Sequence, residues 1–135
     1  MNIDVNWHNE EQTIVYYDFN KGWEWIELTE AFAQAEALVS QVHYKVDVIM
    51  DFRSSWAAIP KGAISQARQP FASKPHPNIN NTVLVGNQFV KSLTDLVRKF
   101  VPSSADNWKL FFAASLAEAY SIIETQRGKD EVHHE

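Results

Sequence analysis

Short segments rich in β-branched and aromatic residues alternate along this chain with longer segments whose apolar residues recur every three or four positions. The first pattern is typical of β-strands and the second of helices packed on a sheet. Two strand segments come first, and each of the other three lies between helical segments. This order, β-β-α-β-α-β-α-β-α, predicts an α/β domain with a mostly parallel five-stranded sheet and an antiparallel strand at its N-terminal edge.

Five segments have the composition of strands. The first two are separated by a short polar break, which predicts an antiparallel hairpin. Each later strand follows a helical segment, and a strand that follows a crossover helix is most simply parallel to the strand before it. The predicted strands are Ile3–Trp7, Thr13–Phe19, Val46–Phe52, Thr82–Asn87 and Trp108–Phe112.

Four segments carry helical periodicity or helix-start signals. Pro70 lies inside the second predicted helix and indicates a kink or an early end there. Ser115 and Glu118 have the spacing of a capping box at the start of the fourth helix, and Gly128 is expected to follow its end. Residues 1–128 are therefore expected to form one domain, with 129–135 as a short charged tail. The predicted helices run from about Trp23 to Val42, Lys61 to Ser73, Gln88 to Val101 and Ser115 to Arg127.

Length and charge narrow the classes of partner. At 135 residues the chain has the length of a single domain. Its net charge is −5 at pH 7 and it has no basic run, so the electrostatic signature of a nucleic-acid-binding protein is missing. It has no cysteine, and no apolar stretch reaches the roughly 18 residues of a membrane span. We expect a soluble, cytoplasmic protein without disulfides.

Four short motifs, taken in chain order, resemble the SpoIIAA-like or STAS-like superfamily. The resemblance covers nearly the whole chain, from about Ile3 to Arg127. It implies a right-handed superhelix of βα units, with strands in sequential order and helices mainly on one face, an architecture also seen in lipid-binding Sec14-like domains. The motifs are Val46–Phe52, Ile59–Ala63, His76–Asn78 followed by Thr82–Gly86, and Ser115–Tyr120.

The founding members of that superfamily are anti-sigma factor antagonists, which are switched by phosphorylation of a serine where a loop enters a helix. A phosphate there would be held by free backbone amides and by the positive end of the helix dipole. The matching stretch here, Ala58–Gly62, has no hydroxyl group, and Pro60 removes one of the amides. Ser54 and Ser55 lie upstream and are not assigned the role. A phosphorylated antagonist is therefore the least favoured of the implied functions.

The loop from Arg53 to Gly62 is the predicted working surface. Trp56 and Ile59 make this loop apolar where a βα loop should be exposed, and exposed apolar surface marks a site for a partner or ligand. We therefore expect a non-enzymatic STAS-like module that regulates or binds another protein. The candidate residues are Arg53, Ser54, Ser55, Trp56, Ile59 and Pro60.

The alternative is a carrier or sensor of a lipid or another small apolar ligand. Aromatic residues make up 13% of the chain and contribute large apolar areas to a small core. Trp25, Phe32 and Trp108 are expected to fill that core. A pocket of about 300 Å³ or more among the aromatic side chains would favour the carrier, and a solid interior would eliminate it.

The strands are apolar on both faces, although the resemblance implies that helices cover mainly one of them. Either a helix crosses to the second face or another subunit covers it. We expect the second arrangement, a homodimer. The residues of the predicted dimer face are Ile14, Tyr16, Ile49, Val83, Val85 and Phe111.

The sequence contains no motif for nucleophilic catalysis, nucleotide binding or metal binding. The five histidines lack the paired spacings of metal ligands, so no metal and no other cofactor is expected. Asp47 and Asp51 lie on one side of the same strand but about 13 Å apart, too far to couple their pKa values. Asp51 is instead expected to cap the turn after the strand. An enzyme would need Asp51, His76 or Ser54 to meet in one cleft.

Overall fold

The computed structural model describes residues 2–55, 62–101 and 107–133, and it has the α/β architecture that the sequence predicts. The bounds lie within three residues of the predicted ones, except at the end of the last helix. The strands are β1 (Ile3–Trp7), β2 (Ile14–Phe19), β3 (Val46–Asp51), β4 (Ile79–Val85) and β5 (Lys109–Ala113). The helices are α1 (Trp25–Val39), α2 (Ala63–Ala72), α3 (Gln88–Phe100) and α4 (Leu116–His133).

The five strands form one sheet in the order β1-β2-β3-β4-β5. The β1 strand is antiparallel to β2, and every other pair is parallel, which confirms the predicted fold class. The central strand β3 is buried along its whole length because helices cover both faces of the sheet. The β4 strand begins earlier than predicted, since the Val46 amide already donates to the Asn78 carbonyl at 2.7 Å.

Three helices cover one face of the sheet. The buried residues of α1 (Leu28, Ala31, Ala35 and Val39) follow helical spacing and pack on the main core. The α2 helix packs against both α1 and α3. The Asn87 side chain caps α3 by accepting from the amides of Phe89 and Val90 at 3.0 and 3.3 Å. All three helices begin at the carboxyl edge of the parallel strands.

The α4 helix lies on the opposite face. Its start is capped as predicted: the Glu118 amide donates to Ser115 Oγ at 3.1 Å, and Glu118 Oε2 accepts from the Ala114 amide at 3.2 Å. Its predicted end at Gly128 is wrong, because the helix continues to His133. A glycine ends a helix when it adopts positive φ, and among the described residues only Gly22 and Gly62 are glycines with positive φ.

The α4 helix covers the face that the sequence analysis assigned to a dimer. Ile49, Val83 and Val85 are fully buried there together with Ala119 and Ile123 of α4. The chain therefore takes the first of the two arrangements considered above, a helix that crosses to the second face. The other three residues of that predicted face, Ile14, Tyr16 and Phe111, are partly buried and pack against the same cluster.

A buried ion pair fastens α4 to the sheet. Arg127 Nε donates to Asp47 Oδ2 at 2.6 Å, and Arg127 Nη2 donates to the Thr13 carbonyl at 3.2 Å. Asp47 Oδ1 accepts from the Asn81 amide and from Asn81 Nδ2, both at 3.0 Å. Asp47 is therefore a structural carboxylate whose oxygens are occupied.

Within the described part of the chain, no helix is both long and apolar enough to cross a membrane.

Candidate functional site

The predicted working loop is only partly described. Trp56, Ile59 and Pro60 lie outside the described residues. Arg53 and Ser54 are exposed and Ser55 is half-buried, with Ser55 Oγ donating to the Phe52 carbonyl at 3.2 Å. The structure thus places the start of the loop at the carboxyl end of β3, as predicted.

Asp51 holds the start of that loop in place. Its Oδ1 accepts from the Arg53 amide and from Arg53 Nε, both at 3.0 Å, and its Oδ2 accepts from Arg53 Nη2 at 2.8 Å and from the Tyr16 hydroxyl. This confirms the predicted turn-capping role. Burial alone would raise the pKa of Asp51, but the hydrogen bonds from Arg53 and Tyr16 outweigh it and hold that pKa below the ordinary value.

Three carboxylates lie side by side near this edge of the sheet. Asp18 of β2 pairs directly with Asp4 of β1 on one side and with Asp51 of β3 on the other. Partial burial and then the charges of Asp51 and Asp4 raise the pKa of Asp18, and only Arg53 opposes them. We call Asp4, Asp18, Asp51, Tyr16 and Arg53 the carboxyl-edge cluster. Among the residues that the structure describes, no group of three His, Asp or Glu side chains is arranged to hold a metal ion.

Asp51 and His76, two of the groups that an enzyme was expected to bring together, lie at opposite edges of the sheet. Asp51 lies at the carboxyl end of β3 and faces the α4 side of the sheet, where its oxygens are taken by Arg53 and Tyr16. His76 precedes β4 and so lies at the opposite, amino edge of the parallel strands. His8 adjoins the carboxyl-edge cluster, because it is stacked on Tyr16 and hydrogen-bonded to the Tyr120 hydroxyl of α4.

A pocket of about 390 Å³ opens between α1 and α2, beside the amino ends of β4 and β5. We call it the aromatic pocket. Three aromatic side chains and two prolines line it together with polar residues from both helices and from the segment before β4. The lining residues are Tyr17, Thr29, Phe32, Ala33, Glu36, Gln69, Pro70, Ser73, Lys74, Pro75, His76, Ile79 and Trp108.

The wall of the aromatic pocket is built from rings that support one another. Phe32 of α1 and Trp108 lie 5.4 Å apart between ring centroids, and Phe71 of α2 contacts both rings edge-on, at 5.6 and 5.2 Å. Trp108 Nε1 donates to the Ser73 carbonyl at 2.8 Å, which fixes the indole against the end of α2. These contacts hold the rings of the wall against one another.

Tyr17 lines the same pocket from the sheet. It is only 2% exposed, and burial raises the pKa of its hydroxyl well above the ordinary value. Within the described residues its hydroxyl makes no hydrogen bond, unlike the hydroxyl of the adjacent Tyr16. Because Tyr17 lines the pocket, its hydroxyl is a polar group that a ligand there can hydrogen-bond.

Sequence reasoning missed the position of this pocket. It placed Phe32 and Trp108 in the core, and both do pack against the core, but their other sides line the pocket. It also looked for a site at the carboxyl edge, where α/β folds usually bind ligands. The available signal was Pro70 with the proline-rich segment after α2: the helix runs through Pro70 to Ala72, and both Pro70 and that segment line the pocket.

Comparison of the chain with protein-family models, with curated proteins and with solved structures found no match. The STAS-like resemblance therefore stays a prediction, and function has to be inferred from the geometry.

Proposed function

We propose that this chain is a non-enzymatic binding domain that carries or senses a small, largely apolar ligand in the aromatic pocket. The observation that carries the proposal is the pocket of about 390 Å³ between Phe32, Trp108 and Tyr17. Small-molecule sites have volumes of about 300 to 1,000 Å³ and combine apolar walls with a few polar groups. The aromatic pocket meets the volume condition set by the sequence analysis, and apolar and polar groups share its walls about equally.

The size of the pocket limits the ligand. Its volume is near the lower end of the usual range, which favours a molecule with one or two rings or a short chain over a whole phospholipid. Flat rings can lie against Phe32 and Trp108, while the Tyr17 hydroxyl can bond a polar substituent. Sec14-like carriers share the architecture that the resemblance implies, and that analogy supports the function only weakly.

A filled pocket tests the proposal. Ala33 lines the pocket from the exposed side of α1, so Ala33→Phe fills it without entering the core. Ala117 of α4 is also exposed and lies on the other side of the sheet, so Ala117→Phe is the matched control. Native mass spectrometry of protein purified from its own host should show a retained small molecule that Ala33→Phe loses and Ala117→Phe keeps. Equal retention by both variants would contradict the proposal.

The second candidate is the protein-binding module expected from the sequence. Its support is two exposed apolar side chains in the first turns of two helices on the same face of the sheet: Ile26 of α1 is 72% exposed and Phe89 of α3 is 46% exposed. The loop that contains Trp56 connects β3 to α2, which packs between these two helices. Exposed apolar groups at one edge of a fold favour a docking surface for another protein. Changing Ile26 and Phe89 together to Ser should weaken partner binding and leave pocket occupancy unchanged.

The homodimer stays a prediction under either function. Light scattering tests it directly: a mass near 15.5 kDa at micromolar concentration, the mass of one chain, counts against it. Because α4 buries Ile49, Val83 and Val85, a dimer would have to use other surfaces, such as the edge that bears Ile26 and Phe89.

A further inference from the structure

We infer that the ligand of the aromatic pocket is an anion whose carboxylate, or a similar acceptor group, lies between His76 and Lys74 while its apolar part packs on Phe32 and Trp108. The inference rests on the proposed function and adds the charge and the orientation of the ligand. It is carried by the hydrogen bonding of His76 and by the placement of charge around the mouth of the pocket.

The hydrogen bond made by His76 fixes which of its ring nitrogens carries the proton. The Asn78 amide donates to His76 Nδ1 at 3.0 Å, so Nδ1 must be unprotonated. A neutral imidazole then carries its hydrogen on Nε2. His76 is half-buried and lines the pocket, and Nε2 is the ring nitrogen left to donate to a ligand.

Lys74 adds a positive charge on the same side of the pocket. It is exposed, and its ammonium group lies within 4.0 Å of no carboxylate among the described residues, whose ion pairs are Arg53–Asp51 and Arg127–Asp47. A hydrogen-bond donor and an ammonium group that line one pocket suit the oxygens of one carboxylate. An apolar ligand with a carboxylate at this end would satisfy both groups.

Glu36 provides the counter-test for the sign of the ligand charge. It lines the pocket from α1 and is likewise in no ion pair within the described residues. A ligand anion seated at His76 and Lys74 would be repelled by Glu36, whereas a ligand cation would be attracted to it. Removing the two charges one at a time must therefore move the affinity of a charged ligand in opposite directions.

Three probes with the same ring system separate charge from shape: 2-naphthoate, the neutral 2-naphthamide and the cationic 2-naphthylmethylammonium. Titration calorimetry at low salt should give the carboxylate at least about tenfold tighter binding than the ammonium probe. Lys74→Gln should weaken the binding of 2-naphthoate only about threefold, because an exposed ion pair contributes little to affinity. It should leave the binding of 2-naphthamide unchanged. Glu36→Gln should tighten 2-naphthoate and weaken the ammonium probe.

Two substitutions of His76 separate binding from support of the fold. Asn places an oxygen near the position of Nδ1, so His76→Asn keeps an acceptor for the Asn78 amide and loses the Nε2 donor. Gln places its amide near Nε2, so His76→Gln keeps a donor for the ligand and loses the bond to Asn78. We expect His76→Asn to melt like the wild type and bind 2-naphthoate about tenfold more weakly. His76→Gln should melt lower and keep most of the affinity.

The outcomes of these titrations distinguish the two levels of the proposal. If none of the probes binds, or if Ala33→Phe leaves their binding unchanged, the pocket is not a ligand site and both the proposed function and this inference fail. If Ala33→Phe abolishes binding but the three probes bind equally, or the ammonium probe binds best, the proposed function stands and the anion assignment is overturned. Loss of affinity in His76→Gln but not in His76→Asn would also overturn it.

Discussion

Removing Arg127 should destabilise the fold more than any other change of a single exposed charge. Arg127 is 39% exposed at its side chain, yet it neutralises Asp47, whose side chain is 1% exposed. Arg127→Met keeps the length and much of the apolar stem of the side chain and removes the guanidinium group. Among the described residues, Asp47 would then be a buried carboxylate with side-chain hydrogen bonds only from Asn81.

The magnitude follows from the burial of the two partners. Breaking a buried ion pair by removing one partner costs about 3 to 5 kcal/mol. Because water reaches the guanidinium side of this pair, we expect the lower end, about 3 kcal/mol. With an unfolding entropy of about 2.1 cal/mol/K per residue, that loss lowers the Tm of a chain of this length by about 10 °C.

Urea unfolding of three variants measures this cost. Arg98→Met, at an exposed position near the end of α3, is the matched control and should cost no more than about 0.5 kcal/mol. Adding Asp47→Asn to Arg127→Met removes the unpaired charge, so the double variant should recover about 1 kcal/mol. If Arg127→Met and Arg98→Met unfold at the same urea concentration, the pair does not fasten α4 and the reasoning is refuted.

Three further changes test other contacts by thermal or urea unfolding. Gly86→Ala should lower the free energy of unfolding by about 2 kcal/mol, because the new Cβ would lie 2.5 Å from Val90 Cγ2 in the core. Wild-type stability would contradict this by showing that the turn moves to accept the Cβ. Asp18→Asn should stabilise by about 0.5 kcal/mol near neutral pH by removing like-charge pairs across the strands. The folded pKa of Asp18 is raised, so protonated Asp18 favours the fold at low pH, and this stabilisation is lost as pH rises through the folded pKa. In acid Asp18 is uncharged like Asn, so the stability gained by Asp18→Asn should vanish there. Tyr16→Phe should cost about 1 kcal/mol by removing a hydrogen bond to Asp51. The folded pKa of Asp51 is lowered, so the ionised carboxylate stabilises the fold above its unfolded pKa, and this stabilisation is lost as pH falls through its folded pKa. The free energy lost in Tyr16→Phe should therefore be smaller in acid.

The fold could be predicted from sequence because its signals are local. The switch from strand-like to helical periodicity identifies the strands and the helices α1 and α3, and helix-start signals identify α2 and α4. The capping box at Ser115 and Glu118 places the start of α4 within one residue. The end of α4 could not be predicted in the same way, because Gly128 stops a helix only if it takes positive φ, and packing decides that. The sequence analysis assigned a homodimer to the sheet face that α4 in fact covers, because the periodicity of α4 does not show which side of the sheet it packs against.

The candidate site was less predictable because it depends on contacts between distant segments. Phe32, Phe71 and Trp108 meet only after α1, α2 and β5 are assembled. The tautomer of His76 follows from a single backbone hydrogen bond in a segment that the sequence marks only as a proline-rich loop. The sequence shows that the chain is rich in aromatic residues, but the volume of the aromatic pocket depends on how those residues pack in the folded chain.

The alternation of β2 gives two adjacent tyrosines opposite roles. Tyr16 and Tyr17 point to different faces of the sheet, and burial is the first cause that raises the pKa of each hydroxyl. Tyr16 donates to Asp51 and so helps to hold the loop after β3, whereas Tyr17 lines the aromatic pocket without a hydrogen-bond partner among the described residues. A ligand in the pocket can therefore hydrogen-bond the Tyr17 hydroxyl, whereas the oxygens of Asp51 in the carboxyl-edge cluster are already taken by Arg53 and Tyr16. This difference is why the pocket, and not the carboxyl-edge cluster, carries the proposed function.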